Sequence, residues 1–283
     1  MKNKSILIVA LLVLLGFFKA NAQINFGDRA LGALQKGAAG LIFSDADAAA
    51  LSKAAVDKMD SEHIIAGPKD PYTLRLNKVF GKYTSGDGYT LNYKVYKLNE
   101  VNAFATADGS VRVYSGLMDI MDDNELLAVI GHEIGHVANH DSRDAIKAAY
   151  KKEAIVDAVA SQSNKVAAIT DSQLAKIASV VIDNKHSRKQ ESEADEFSYN
   201  FMKKNGYNVN AVSSAFSIIA KMSEGAQASF LDKMMSSHPD PKERAEIARQ
   251  RAENDGLYKP YVQQTKGTAT SKAVKPATAK KKK

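Results

Sequence analysis

Hydrophobic residues recur every three or four positions over much of the chain, the spacing that gives a helix one apolar face. The segments with this pattern are residues 46–59, 70–83, 124–140, 210–222 and 241–251. Residues 145–181 are also largely helical in composition, and they form either an ordinary packed layer or a lid over a cleft. The pattern predicts a domain in which helices dominate.

A shorter alternation of polar and apolar residues predicts a small sheet ahead of the helix at 124–140. Residues 89–95 alternate as in a half-buried strand, and residues 102–106 and 110–114 flank Asp108-Gly109, a strong hairpin signal. We therefore expect an α+β fold, dominated by helices, with a small antiparallel sheet. The edge of such a sheet can take up an extended peptide as an added strand. The residues expected at that edge are Asn102, Ala103 and Phe104.

The two ends of the chain differ in composition from this domain. Lys2 and Lys4 precede an apolar run that ends at Ala20-Asn21-Ala22, which predicts a signal peptide over residues 1–22, cleaved after Ala22. Residues 265–283 are rich in Lys, Thr and Ala and are predicted to be disordered. Residues 23–264 remain as one domain, which we expect to be exported and to be periplasmic or secreted.

The net charge of +7 does not belong to this domain. The two end segments contain no acid, and without them 29 basic residues face 32 acidic ones, a net charge of −3. Nucleic-acid binding by the domain is therefore not expected. The Lys-rich tail either keeps the chain in solution or makes weak contact with anionic membrane lipid or cell-wall polymer.

The sequence His132-Glu133-Ile134-Gly135-His136 lies within the helix predicted at 124–140. Residues four apart share one helix face, so both imidazoles can bind one zinc ion. Glu133 then lies beside the metal, where it can take a proton from a water molecule whose pKa zinc lowers to roughly 7. The motif predicts metal-assisted hydrolysis, most often of a peptide bond. Gly131 and Gly135 predict that a neighbouring element approaches this helix closely.

A catalytic zinc ion usually has three protein ligands and one open position. The chain has no cysteine, so the third ligand is not sulfur. His140 is eight residues from His132, about 12 Å along a helix, which is too far for one ion. Glu191 and Asp195 lie four apart on a helix that should begin at the S-x-x-Q capping box of residues 187–190. Either Glu191 binds zinc while Asp195 accepts the N–H of a ligand histidine, or these acids only favour a helix N-terminus.

Several segments together resemble a known family. The H-E-I-G-H motif followed by Glu191-Ser-Glu-Ala-Asp195 is similar to the gluzincin metallopeptidases of the HtpX and CAAX prenyl protease family, whose pattern is H-E-x-x-H and then E-x-x-A-D. Residues 102–117 resemble the strand segment before the zinc helix, and residues 70–72 resemble a segment upstream of it. Residues 238–244 resemble the downstream element H-P-x-x-x-x-R. The resemblance covers residues 45–250.

This resemblance implies a zincin-like metallopeptidase core with one Zn²⁺ ion. Its metal ligands would be His132, His136 and Glu191, with Asp195 supporting Glu191. The named families are embedded in membranes, whereas this chain has no comparable apolar segment after its first twenty residues. In that respect it resembles the soluble periplasmic branch, which is implicated in the quality control of envelope proteins.

The resemblance also implies two further catalytic residues, His238 and Arg244. Either side chain would help to stabilise the oxyanion, and His238 would alternatively occupy the open zinc position. We therefore predict a zinc endopeptidase that cleaves misfolded or misassembled envelope polypeptides with Glu133 as the base. The alternative is an envelope chaperone or assembly factor whose protease activity is self-inhibited and rarely used.

Overall fold

The computed structural model of the protein describes residues 43–86, 88–152, 169–225 and 228–264. The predicted signal peptide at 1–22 and the predicted tail at 265–283 lie outside these ranges, as does the middle of the stretch 145–181. Among the described residues, no helix has both the length and the apolar character needed to cross a membrane.

Helices form most of the described chain, as the apolar spacing predicts. They are α1 (Asp45–Glu62), α2 (Pro71–Phe80), α3 (Ser115–Ile120), α4 (Asp123–Ala138), α5 (Asp141–Lys152), α6 (Asp171–Asp183), α7 (Arg188–Lys204), α8 (Asn210–Ser223), α9 (Asp232–Ser237) and α10 (Pro241–Asn254). A short 3-10 helix spans Ala228–Leu231. The helix-dominated α+β fold is confirmed, and each of the five helices first predicted is present within three residues of its expected ends.

The sheet differs from the prediction in one respect. Its strands are β1 (Ser85–Gly86), β2 (Tyr89–Thr90), β3 (Asn92–Tyr96), β4 (Ala103–Ala105) and β5 (Ser110–Tyr114). The hairpin of β4 and β5 is antiparallel as predicted, but β3 pairs with β5 in parallel, in the order β3-β5-β4. The sheet is therefore mixed, because the strand that returns from the hairpin turn inserts between β3 and β4.

The predicted strand at residues 89–95 is also divided. Tyr89 and Thr90 pair with β1, whereas the chain from Asn92 onward pairs with β5. Leu91 marks the change, since its N–H donates to the carbonyl of Thr84 at 2.9 Å, while the N–H of Asn92 donates to Gly109 at 3.0 Å. One run of alternating residues thus contributes a strand to each of two sheets.

Side chains at the helix starts explain where the two central helices begin. Asp122 caps α4 and forms a capping box with Glu125, and both side chains are fully buried. Ser187 caps α7 through the predicted box with Gln190. These caps satisfy N–H groups that a helix leaves without partners at its N-terminus.

The predicted close approach to Gly131 and Gly135 is confirmed, and the approaching element is α7. A Cβ atom on Gly135 would lie 3.0 Å from the Cα of Ala194, and one on Gly131 would lie 3.3 Å from the Oγ of Ser198. The absence of side chains on α4 therefore lets α7 pack against its backbone. This contact fixes the position of Glu191, at the start of α7, relative to the H-E-x-x-H motif.

Apolar residues form two clusters. The larger one joins α2, α4, α7, α8 and α10 to one side of the three-stranded sheet. The smaller one consists of α1, α5 and α6 together with Tyr96, Phe104 and Tyr114 of the sheet. The described part of the stretch 145–181 is thus a packed helical layer, and it lies against α1.

Candidate metal centre

Four buried side chains bring their donor atoms together where α4, α7 and the end of α9 meet. The Nε2 atoms of His132 and His136 are 3.1 Å apart, and Nδ1 of His238 lies 3.3 Å from Nε2 of His132. Oε1 of Glu191 lies 3.4 Å from Nε2 of His136 and 3.0 Å from Nδ1 of His238. Ligand atoms arranged tetrahedrally about 2.1 Å from a zinc ion are about 3.4 Å apart. The set of three imidazoles and one carboxylate therefore fits a single zinc ion.

A carboxylate holds the second ring nitrogen of each motif histidine. Nδ1 of His132 lies 2.8 Å from Oδ1 of Asp195, and Nδ1 of His136 lies 2.9 Å from Oδ2 of Asp141. These contacts direct both Nε2 atoms toward the centre. The first contact is the one proposed for Asp195 from the sequence.

Sequence reasoning missed Asp141. It follows His140, whose φ of 66° is left-handed and reverses the chain at the end of α4. The reversal brings Asp141 back to His136, five residues earlier, although no helical spacing relates the two. An acid at the start of α5 was the only signal in the sequence, and most such acids merely favour a helix N-terminus.

Asp141 also connects α4 and α7, the two helices that carry the candidate metal ligands. Its Oδ1 accepts a hydrogen bond of 2.8 Å from Nε2 of Gln190. Oε1 of Gln190 accepts hydrogen bonds of 2.9 Å from both the main-chain N–H and the hydroxyl of Ser187. The capping box that begins α7 therefore helps to hold the carboxylate that orients His136.

The guanidinium of Arg244 is buried against the acids of the centre. Its Nε and Nη2 atoms lie 2.9 and 2.6 Å from the two carboxylate oxygens of Asp195, and Nη1 lies 2.5 Å from Oε2 of Glu191. Its outer face lies 4.0 Å from the ring centre of Phe216. Arg244 thus holds Glu191 and Asp195 in place, and its contribution to an oxyanion stays a prediction.

His238 lies between the candidate metal ligands and Glu133. While its Nδ1 faces the donor cluster, its Nε2 lies 3.6 Å from Oε1 of Glu133. Both side chains are buried. The structure therefore brings the predicted general base, the predicted ligands and the predicted gating histidine into one cluster, whereas His140 is exposed and contacts Tyr89.

Charge stabilises the ionised form of both acids at this centre. Burial opposes ionisation of Asp195, but the Arg244 charge and the hydrogen bond with His132 outweigh it and hold its pKa at about 2. Burial also tends to raise the pKa of Glu191, but hydrogen bonds with His136 and His238 outweigh it and hold that pKa well below its usual value.

Burial lowers the pKa of His132. Burial lowers the pKa of His136 too, but the hydrogen bonds with Asp141 and Glu191 outweigh it and raise that pKa to about 9. The centre thus offers an anionic carboxylate and a neutral His132 imidazole, whereas zinc binding to His136 would release a proton.

The predicted edge residues lie beside this centre. β4 is one of the two edge strands of the three-stranded sheet and packs against α4. The N–H of Ala103 donates to the side chain of Asn102 at 3.0 Å, and the carbonyl of Ala105 accepts from Ser142 at 3.0 Å. Asn102, Ala103 and Phe104 are buried, and their contact with substrate stays a prediction.

Known metalloproteases are similar to this chain, two of them over about three quarters of its length. The metalloprotease LoiP of Escherichia coli (strain K12) is 39% identical over 215 residues, which cover 76% of this chain and 84% of LoiP. The metalloprotease YcaL of the same organism is 42% identical over 209 residues, 74% of this chain and 81% of YcaL. Protease HtpX of Xanthomonas euvesicatoria pv. vesicatoria (strain 85-10) is 36% identical over 96 residues, 32% of this chain and 33% of HtpX.

The profile of peptidase family M48 matches residues 83–252, which is more than half of the chain. This match contains the H-E-x-x-H motif, the E-x-x-A-D motif and the element at 238–244, so it confirms the resemblance found in the sequence. Together with the two relatives that match over most of their length, it shows a metalloprotease. The chain belongs to peptidase family M48.

Proposed function

We propose that the protein is a zinc endopeptidase of the cell envelope, with Glu133 as its general base. The zinc ligands are His132, His136 and Glu191. The observation that carries the proposal is the set of donor atoms at zinc-like separations, which lies beside the Glu133 carboxylate. The signal peptide predicted at residues 1–22 supports export, and envelope polypeptides are then the substrates within reach.

Zinc, when bound, supplies a Lewis acid that activates water and polarises the scissile carbonyl. Glu133 is the residue that moves protons, because its buried carboxylate lies beside the donor cluster, with Oε1 3.6 Å from Nε2 of His238. It accepts a proton as the water oxygen bonds to the carbonyl carbon, and it delivers that proton to the amine nitrogen as the C–N bond breaks. Arg244 and the two acids that it contacts keep the ligands in position while the charge shifts.

The substrate backbone is proposed to lie along the free edge of β4. Strand addition supplies main-chain hydrogen bonds that do not depend on side chains, which suits a protease for unfolded polypeptides. The contacts from Asn102 and Ser142 satisfy part of that edge, so substrate binding would exchange them for bonds to the peptide.

The position of His238 supports a second candidate function, that of a protease which inhibits itself. Its Nδ1 is at ligand distance from the other donors and completes the tetrahedron, which is the position that water needs. An enzyme closed in this way would cleave rarely, and it would serve mainly as a chaperone or assembly factor that holds envelope clients.

The proposal is tested with unfolded casein and the variant Glu133→Gln. The amide cannot accept the proton, so proteolysis should fall by about 10²- to 10⁴-fold while zinc content and fold stay unchanged. Glu196→Gln, on the exposed face of α7, is the matched control and should cleave as the wild type does. Equal cleavage by the Glu133→Gln variant and the wild type would reject Glu133 as the base.

A further inference from the structure

His186 is a buried imidazole that the mechanism above does not use. Its ring stacks on that of His136, with centres 3.7 Å apart and planes inclined by 16°, and its centre is 5.2 Å from that of His238. Its main-chain N–H donates to the carbonyl of Ser237 at 3.1 Å. One residue therefore contacts a proposed zinc ligand and the turn that carries the gating histidine.

The stack restrains a motion of His136 that the other contacts leave free. The hydrogen bond to Asp141 fixes the direction of Nδ1 but permits the ring to rock about the line of that bond. A flat ring 3.7 Å away blocks the rocking on one side. Since Nε2 lies off the line of that hydrogen bond, any rocking would displace the nitrogen proposed to bind the metal.

His186 also lines a small cavity of about 20 Å³, whose lining includes Ser52, Ser142 and residues 105–107. A cavity needs about 10–15 Å³ to hold one water molecule. Nδ1 of His186 and Oγ of Ser52 are buried, and neither has a hydrogen-bond partner among the residues that the structure describes. An unpaired buried polar atom costs about 1–3 kcal/mol, so two of them at one cavity indicate a shared ligand.

We propose that His186 is a positioning residue for the metal centre. Its ring holds the plane of His136, and a water-sized hydrogen-bonding ligand, shared with Ser52, holds the His186 ring in turn. The inference rests on the proposed function in assuming that His136 binds the metal. It connects α1, outside the matched residues 83–252, to the geometry of the zinc site.

Two substitutions of His186 distinguish the contribution of its ring from that of its Nδ1 atom. His186→Phe keeps a flat ring for the stack, whereas His186→Asn keeps a polar atom near the position of Nδ1 but removes the ring. The readouts are zinc affinity, by competition with a chromophoric chelator, and the visible spectrum of the cobalt-loaded protein. We expect His186→Asn to weaken zinc binding about 10- to 100-fold and to shift the cobalt band. His186→Phe, which keeps the stack but loses the bond to the shared ligand, should weaken zinc binding clearly less than His186→Asn.

The outcomes distinguish this inference from the function on which it rests. A wild-type chain that binds neither zinc nor cobalt would reject the proposed function. A wild type that binds zinc, with His186→Asn equal to it or His186→Phe as weak as His186→Asn, would overturn the positioning role alone. Circular dichroism of each variant verifies that the fold is retained.

The shared ligand is tested by a double-mutant cycle between Ser52→Ala and His186→Phe. A hydroxyl without any partner would make Ser52→Ala neutral or stabilising, whereas a shared ligand makes it destabilising, and less so once Nδ1 is gone. The matched control is Ser198→Ala, because Ser198 is a buried serine with its own acceptor, Ala128 O, and does not line the cavity. Its effect should add to that of His186→Phe. Additive effects for Ser52→Ala as well would overturn the shared ligand.

Discussion

At the scale of single residues, carboxylates set the direction of the metal-binding nitrogens. Asp195 and Asp141 each occupy one ring nitrogen of a motif histidine and leave Nε2 for the metal. Arg244 is bonded in turn to Asp195 and Glu191. Substitution of one of these side chains should therefore displace several donor atoms. Substitution of a solvent-facing residue on the same helices should displace none.

Variants of two neighbouring glutamates of α7 can test which residue is the third metal ligand. Glu191 is buried with its carboxylate at the donor cluster, whereas Glu193 is exposed and pairs with Lys189. We expect Glu191→Ala to release zinc to a chelator far more readily than Glu193→Ala, which should behave as the wild type. Asp195→Ala should weaken zinc binding by about 10- to 100-fold, since it only orients a ligand. Equal zinc loss from the two glutamate variants would contradict the assignment.

A buried ion pair far from the metal gives a prediction about stability and pH. Asp60 accepts from Nε and Nη2 of Arg112 at 2.8 and 3.0 Å, and Lys94 and Tyr96 also donate to it. Burial opposes its ionisation, but these hydrogen bonds outweigh burial and hold its pKa at about 2. Because that value is below the unfolded pKa of about 3.9, the pair stabilises the fold fully above pH 4 and loses its effect as the pH falls through 2.

Asp60→Asn should therefore lower the free energy of unfolding by about 2–4 kcal/mol at pH 7, because it leaves the buried Arg112 charge without its partner. The difference from the wild type should shrink as the pH is lowered from 4 toward 2. Urea titrations at several pH values measure both effects. Asp57→Asn, whose partner Lys53 is equally exposed, is the control and should change stability by less than about 1 kcal/mol.

At the scale of elements, the contact between α4 and α7 decides the size of the metal site. A Cβ on Gly135 meets main-chain atoms of Ala194 at 3.0 and 3.1 Å, which cannot move without moving α7. A Cβ on Gly131 meets the side chains of Ser198 and Phe201 at 3.3 and 3.4 Å, which can adjust. The two glycines of one helix thus differ in what a methyl group would displace.

Gly135→Ala should accordingly destabilise the protein by about 1–3 kcal/mol and weaken zinc binding, because α7 and Glu191 are pushed away. The gain of about 1 kcal/mol in helix propensity does not compensate. Gly131→Ala, which brings the same gain, should stay within about 1 kcal/mol of the wild type. Thermal unfolding and chelator competition measure both, and similar behaviour of the two variants would refute this account of the contact.

The C-terminal segment after α10 is a second element that acts on the zinc helix. The hydroxyl of Tyr261 and the main-chain N–H of Gln264 both donate to Oδ2 of Asp122 at 2.7 Å, and Gln263 donates to Glu125 at 2.7 Å. These two acids are the capping box of α4. Residues beyond the family match therefore hold the start of the helix that carries both ligand histidines.

Tyr261→Phe should lower the free energy of unfolding by about 1.5–3 kcal/mol, the value of a hydrogen bond to a buried charge. Tyr258→Phe is the control, because Tyr258 is exposed and keeps its ring beside Arg249. It should have little effect in the same urea titration. A Tyr261→Phe variant as stable as the control would show that Asp122 is satisfied without this segment.

Local signals predicted the helices, because caps and apolar spacing act within a few residues. Ser187 and the Asp108-Gly109 turn each form the contact that their sequence indicates. The pairing of β3 with β5 was not predictable in this way, since it joins strands that the chain does not connect directly.

At the scale of the whole molecule, the residues proposed to carry out the chemistry are visible in the sequence, whereas those that surround them are not. Residues at fixed helical spacing, such as His132 and His136, are recognisable because a single helix brings them together. Asp141 and His186 reach the same centre only through chain reversal and packing between separate helices, so their types and spacing carry no signal. Motifs therefore reveal the reaction, whereas the surroundings that hold or block the site appear only in the folded structure.

The closed state proposed for the site would be such a property of the whole fold, and a substitution of His238 tests it. If the bound imidazole is favoured by about 1.4 kcal/mol over the open state, roughly ten of eleven molecules are closed. His238→Ala should then raise basal casein cleavage about tenfold while zinc stays bound. His140→Asn, which removes an exposed imidazole at the end of α4 with a residue that tolerates the left-handed backbone there, is the control and should leave cleavage unchanged. Slower cleavage by His238→Ala with zinc retained would reject gating and would instead assign the imidazole to stabilisation of the oxyanion.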